Sequence, residues 1–276
     1  LREEDDEFIE GYQRIQHLQD FQELAHDPAL VAIMRAVLGP TAFPHPLKIA
    51  RLAFPDHYEA STPPHPDFPN NQGTTELTAT WIPLSDVPSQ LGGIAVLRGS
   101  HKWGLLPLAG HIGAGNRCAV IPPDMAESCR WVTTEFAMGD VLLFPSLTVH
   151  ASLHNASEFF MRLSVDFRWQ LEGQALTPGC LQPHFGLTSW EDIYAGWDDT
   201  GHQYYWKDLD YQVVPFEALP IQGGGGLELT NDDFAQIIAY EERVKARTAR
   251  RMEMLGRELV ASERRSTTFD RHRPSS

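Results

Sequence analysis

Apolar positions recur at helical spacing before about residue 46, and from there on the chain breaks into short apolar runs separated by Gly, Pro, Asn and Asp. Leu30, Val31, Met34, Val37 and Leu38 keep the i, i+3, i+4 rhythm of one helix face. Asp27-Pro28 supplies an N-cap and a first-turn proline, and Gly39-Pro40 ends the helix. Residues 1–10 are acidic (Glu3, Glu4, Asp5, Asp6, Glu7) and are expected to fray. Strands are predicted at 47–54, 75–84, 93–97, 131–136, 141–144, 149–153 and 161–169. Pro145 calls for a sheet edge or a bulge. Short strands with turn signals and few helices between them predict a mainly β fold with flanking helices, a sandwich or barrel. Segment 105–127 has no period and reads as a long insert loop, a lid over a site.

The run 161–169 alternates cleanly. Arg162, Ser164, Asp166 and Arg168 share one face; Leu163, Val165, Phe167 and Trp169 share the other. With the polar face inside a barrel, Arg162 is a buried guanidinium that needs an anionic partner, and its planar fork suits a carboxylate. On a surface strand the same charges meet water. Residues 170–222 are rich in Trp and Tyr (Trp190, Tyr194, Trp197, Tyr204, Tyr205, Trp206, Tyr211) and read as a layer capping the open end of the sheet. Four glycines at 223–226 mark the clearest boundary. Residues 1–222 then form the main domain, 223–226 a hinge and 227–276 a charged helix and tail. Ile237, Glu241, Val244, Thr248, Leu255 and Leu259 draw a narrow stripe along that helix, which packs on the body or makes a homodimer.

Composition is that of a globular chain with one sizeable core, 42% hydrophobic and 21% charged. The cysteines Cys118, Cys129 and Cys180 are odd in number and widely spaced, which suggests neither a disulfide framework nor a zinc ribbon. A reducing, cytoplasmic setting fits. There is no apolar run long enough to span a membrane and no secretory signal, so no membrane partner is expected. The sequence opens at Leu1 rather than Met, and a native N-terminus is expected ahead of it. The net charge of −15 argues against nucleic acid. Residues 240–276 hold 10 Lys/Arg and 6 Asp/Glu, which leaves −19 on the body. An acyl-CoA needs a basic patch for its phosphates, so a small neutral or cationic substrate is expected instead.

The candidate chemistry centres on His65-Pro66-Asp67. In a strand, positions i and i+2 project to one face, so this imidazole and carboxylate can grip one metal ion. A second imidazole from a distant strand completes a two-His, one-carboxylate triad that leaves positions for oxygen chemistry on Fe(II). The pair alone is weak. With 12 histidines, composition gives about one His-x-Asp pair by chance, and His57-Tyr58-Glu59 has the same spacing. A lone histidine such as His150 is more often a core or surface residue than a ligand.

Longer landmarks carry more weight. The helix ending Leu38-Gly39-Pro40 is followed by His65-Pro66-Asp67, then by Thr80-Trp81-Ile82-Pro83-Leu84. Next come Gly92-Gly93-Ile94-Ala95-Val96-Leu97-Arg98-Gly99-Ser100-His101-Lys102, the run 139–150 ending in His150, Asn155, and Arg162-Leu163-Ser164-Val165-Asp166. In this order they resemble the phytanoyl-CoA dioxygenase (PhyH) family of Fe(II)- and 2-oxoglutarate-dependent oxygenases over about residues 28–170. The segment 189–197 also resembles bacterial members. The resemblance implies a double-stranded β-helix (jelly roll, cupin-like) core with iron on His65, Asp67 and His150. It implies that Arg162 binds the distal carboxylate of 2-oxoglutarate, with Trp81 and Ser152 beside the cosubstrate; His101 is a landmark only. It further implies use of O2, succinate and CO2 as coproducts, and hydroxylation or desaturation of the substrate. In related halogenases a small residue replaces the carboxylate, so Asp67 speaks against halogenation. The chain departs from the family in lacking the usual helix-and-strand lead-in and in its charged C-terminal helix.

Two other readings keep the fold. A jelly-roll binding protein without catalysis would have His65, Asp67 and His150 pointing apart, and a zinc hydrolase would have no use for Arg162 and no need of oxygen. The C-terminal stripe makes a separate prediction: truncation after Gly226 halves the mass seen by light scattering, and an unchanged mass excludes dimerisation through the arm.

Overall fold

The computed structural model describes residues 5–55, 61–110 and 117–221. The chain divides into two units, Leu1–Glu228 and Leu229–Ser276, and every described residue belongs to the first. The 223–226 hinge, the 227–276 arm and His57-Tyr58-Glu59 lie outside the described residues.

Three helices lead: α1 (Asp6–His17), α2 (Gln19–Glu23) and α3 (Pro28–Leu38). At the start of α3, an Asp27 carboxylate oxygen accepts from the amides of Ala29 (2.9 Å) and Leu30 (3.3 Å), as its sequence predicts. The frayed start expected for residues 1–10 is corrected from residue 6 onward, where α1 begins. Phe8, Ile9, Tyr12 and Gln16 fall on one face and are buried, while Asp6 and Glu7 occupy the first turn, where the helix dipole favours acids.

The strands begin with β1 (Ala42–Ala53), followed by a one-turn helix α4 (Phe68–Asn71), β2 (Thr78–Pro83) and β3 (Ile94–Leu97). The expected loop at 105–127 instead contains β4 (Leu108–Gly110), β5 (Arg117–Ala119) and α5 (Pro123–Ser128). Then come β6 (Trp131–Val132), β7 (Leu142–Pro145), β8 (His150–Ser152) and β9 (Arg162–Leu171). The described chain closes with β10 (Ala175–Leu176), α6 (Trp190–Tyr194) and β11 (Gln212–Val213).

One antiparallel sheet has the order β1-β9-β2-β7 and a second the order β6-β3-β8. This is the expected mainly β, jelly-roll core with flanking helices; among the described residues the sheets do not close into a barrel. Pro145 ends β7 at a sheet edge, where a missing amide costs no ladder bond. The β1–β9 register slips between Pro44 and Lys48, where Pro44 and Pro46 cannot donate.

Strand β9 is buried on both faces, and this layers the molecule. Val165, Phe167 and Trp169 pack with Ala50 and Ile82 against Phe8, Ile9, Tyr12, Phe21, Leu30 and Met34 of the helices. Burying a side chain such as Phe167 contributes about 1.5–3 kcal/mol. The alternate residues Arg162, Ser164, Asp166 and Arg168 are buried on the opposite face. Ala79 and Trp81 of β2 meet Val87, Leu91, Ile94, Phe136 and Phe144 between the two sheets. The Trp/Tyr layer of 190–211 forms its own cluster and is tied to β1, with Tyr205 Oη donating to the Pro44 carbonyl (2.7 Å).

A side-chain amide and a glycine hold the loop after β8. Asn155 Nδ2 donates to the carbonyls of Ala53 (2.9 Å) and Phe160 (2.7 Å), joining the end of β1 to the turn before β9. Gly92, at φ 64°, lets that loop approach: a Cβ there would lie 2.3 Å from the His154 carbonyl oxygen. Gly92→Ala is therefore expected to lower the melting midpoint by about 5 °C or more. Gly99→Ala, at φ 86° with nothing within 4 Å of its Cβ, lowers it less. Calorimetry of both variants checks the difference.

Candidate metal and cosubstrate site

His65 and His150 are brought together by the backbone. Each donates its amide to the other's carbonyl (2.9 and 3.0 Å), an antiparallel bridge outside the named ladders that sets the two rings 4.2 Å apart, centroid to centroid. Asp67 arrives differently from the sequence expectation. It is not the i+2 position of a straight strand but the N-cap of α4, in helical conformation at φ −73°, ψ −32°. Pro66 explains the change of course: it confines His65 to extended backbone and cannot extend a ladder itself. The three residues nonetheless converge. Ligand atoms of His65, Asp67 and His150 all lie within 4.8 Å of one another, and all three side chains are buried.

The hydrogen bonds around them fix which atoms face inward. His65 Nδ1 donates to the Pro63 carbonyl (2.7 Å) and His150 Nδ1 to the Thr148 carbonyl (3.0 Å). Each ring thus keeps the Nε2 lone pair for a metal, the arrangement that metal-bound histidines use. Asp67 Oδ1 accepts from Arg168 (2.7 Å), while buried Oδ2 has no partner. Buried oxygens without partners are costly, so an unpaired carboxylate oxygen beside two imidazole nitrogens fits a cation.

The electrostatics agree. Burial alone would raise the Asp67 carboxyl, but Arg168, helped by His150 and His65, holds it down at about 2. Burial, with His150 alongside, lowers His65 to about 3, and burial lowers His150 as well. Near neutral pH the triad is one carboxylate and two neutral imidazoles, the protonation state a metal requires.

Arg162 is placed on the inner face of β9 and is 4% exposed. Its terminal nitrogens donate to Ser164 Oγ and Ser152 Oγ, both at 2.9 Å, and its guanidinium lies 5.7 Å from the Trp81 ring centroid. Its buried Nε has no hydrogen-bond partner. Burial lowers Arg162 to about 10, so an anion beside it would be stabilising. Of the two residues singled out by resemblance, Ser152 therefore accepts a hydrogen bond from Arg162 and Trp81 turns its ring face toward it. The partner of Arg162 is not Asp166, which instead accepts from Arg51 Nε at 2.7 Å.

One cavity contains His65, His150, Trp81, Ser152 and Arg162, and its far wall comes from places the sequence did not mark. Phe8 and Tyr12 reach it from α1, and His184 and Phe185 from the loop before α6. Tyr12 Oη and His184 Nδ1 are hydrogen-bonded at 2.5 Å. Among the described residues, neither the 105–127 segment nor the 190–211 layer lines this cavity. Arg168 was also unassigned. Its place on the alternating face was legible, but its pairing with Asp67 was not.

A family model described as Phytanoyl-CoA dioxygenase (PhyH) matches residues 3–164, a span that includes all four of His65, Asp67, His150 and Arg162. A Streptomyces arenae protein named 1-deoxypentalenic acid 11-beta-hydroxylase is 28% identical over 178 residues, covering 59% of this chain and 62% of the relative. The chain thus spans less than two thirds of that relative's length. Among solved structures, a non-heme alpha-ketoglutarate-dependent epimerase from nogalamycin biosynthesis is similar with a TM-score of 0.45 and 21% identity, over 77% of this chain and 69% of that one. EctD from S. alaskensis, solved with 2-oxoglutarate and 5-hydroxyectoine, is similar with a TM-score of 0.44 and 20% identity, over 56% and 54%.

The Arg168–Asp67 pair yields a stability prediction. Removing one partner of a buried ion pair costs about 3–5 kcal/mol, so metal-free Arg168→Gln is expected to melt well below the parent. Adding Co(II) should raise its midpoint more than the parent's, since the variant has an uncompensated carboxylate and one fewer repelling cation. The Asp67 carboxyl is depressed in the fold, so its contribution is complete above about pH 4 and is lost as pH falls through about 2. In Arg168→Gln the acid-side loss should begin at higher pH. Equal cobalt shifts in both proteins would reduce Arg168 to a packing role.

Proposed function

The chain belongs to the phytanoyl-CoA dioxygenase family of Fe(II)- and 2-oxoglutarate-dependent oxygenases, and we propose that it hydroxylates, or alternatively desaturates, a small organic molecule. The observation that supports this most is a set of three convergent, buried ligand atoms beside a cavity that His65 and His150 line together with a buried guanidinium bearing an unpaired donor. A non-catalytic binding protein needs no such combination, and the divergent triad that would favour that reading is not what these side chains form. The Streptomyces arenae relative, 28% identical, is named a hydroxylase, which favours hydroxylation over other oxidative outcomes.

In this reading His65, Asp67 and His150 hold iron, and Asp67 divides its two oxygens between the metal and Arg168. Iron bound there with 2-oxoglutarate and O2 supplies oxidation of an unactivated C–H bond, with succinate and CO2 as coproducts. Arg162 binds the distal carboxylate of the cosubstrate. Ser152 and Ser164 fix the guanidinium from two sides, and the Trp81 face lies close enough to add a cation–π contact. Phe8, Leu52, Phe54 and Phe185 give the substrate end of the cavity an apolar wall that excludes water.

Anaerobic addition of Fe(II) and then 2-oxoglutarate to the metal-free protein tests the reading. A weak visible charge-transfer band is expected, absent in Asp67→Ala and weakened in Arg162→Ala through an affinity loss of about tenfold or more. A protein that binds metal but gives no band with 2-oxoglutarate is not this oxygenase.

A further inference from the structure

The cavity is lined by a second guanidinium besides Arg162. Arg51 of β1 lines it, with Nε donating to Asp166 Oδ2 at 2.7 Å. Its two terminal nitrogens make no hydrogen bond among the described residues, and its side chain keeps 26% of its exposure inside an otherwise buried cluster. Asp166 in turn stands 3.8 Å from Arg168, which is committed to Asp67 at 2.7 Å. The charged groups are thus linked across β1, β9 and the start of α4, and of the two paired guanidinium groups Arg51 is the one that lines the cavity.

Each pair is already made. Arg168 is held by Asp67 and Arg51 Nε by Asp166, and Arg162 is the guanidinium left for the distal carboxylate of the cosubstrate. What Arg51 still presents to the cavity is its terminal edge, a planar pair of N–H donors suited to two carboxylate oxygens.

We infer that the substrate is a monoanion, a carboxylic acid with a hydrocarbon body, held by Arg51. This rests on the oxygenase reading for its chemistry but not for its charge. The wall of Phe8, Leu52, Phe54 and Phe185 takes the hydrocarbon, and the two terminal nitrogens of one guanidinium match the two oxygens of one carboxylate. It departs from the neutral or cationic substrate expected from net charge, because the field in a cavity is set by the groups that line it.

The test uses medium-chain and alicyclic monocarboxylic acids, each paired with its own primary amide. Affinities are measured by ligand-observed NMR on protein loaded anaerobically with Fe(II) and 2-oxoglutarate. Acids are expected to bind about tenfold or more tighter than their amides. Arg51→Gln should abolish the preference, while Arg51→Lys, which keeps a point charge, should retain part of it. Amides binding as well as acids, no acid binding, or a preference that survives Arg51→Gln each overturn the inference. The comparison is repeated without iron or 2-oxoglutarate in Arg162→Ala, where the other guanidinium is gone. A missing charge-transfer band therefore overturns the oxygenase reading alone.

Discussion

The ion pair between Arg168 and Asp67 is the constraint on which the rest of the structure turns. Two full charges meet at 2.7 Å, each side chain 3% exposed, and a pair so desolvated contributes little or nothing net to stability. It persists because β9 is buried on its other face as well. Val165, Phe167 and Trp169 are each 0% exposed and anchor the strand to the helices. That apolar burial offsets the polar face, and the polar face keeps Asp67 ionised, with one oxygen bound and one unpaired. Stability and function are divided between alternate residues of one strand.

A charged interior also demands a rigid frame, and here the backbone supplies it with short-range devices. The mutual amide–carbonyl bonds of His65 and His150 lock the two rings side by side, and hydrogen bonds to Pro63 and Thr148 turn them. Gly92 lets the loop after β8 approach the turn before β3, and Asn155 ties that loop to β1. Ser152 is held between them, where it can brace Arg162. None of these side chains needs to touch a ligand to decide where the ligand atoms stand.

Much of this was legible in the sequence wherever a local rule and the tertiary structure agree. The Asp27-Pro28 cap, the edge position of Pro145 and the alternation of 161–169 are all set by chemistry within a few residues, and all appear in the fold. The three candidate ligands and Arg162 were legible as types in order; the fold brings the three ligands together and sets Arg162 in the cavity that His65 and His150 line. What escaped was long-range. The acidic start of the chain looked solvated because its charges were read before its Phe8–Ile9–Tyr12 stripe, which becomes a helix only when β9 offers a surface to bury it. The His-x-Asp spacing suggested one straight strand, whereas Pro66 turns the chain and Asp67 begins a helix. The pairing of Arg168 with Asp67 joins residues 101 positions apart, and no periodicity reports such a pair.

Charge shows the same division between global and local. A chain with a net charge of −15 has most of its acids at the surface, where water and salt screen them within about 10 Å. Arg162 and Asp166, which line the cavity, are 4% and 7% exposed, and screening of groups so buried is far weaker. A few buried groups therefore outweigh dozens of exposed ones in setting what the cavity attracts. Net charge still bears on how the whole molecule meets nucleic acid or a charged surface. For such a site the informative groups are the charged ones that line it, and among the described residues these include Arg51, Arg162 and Asp166.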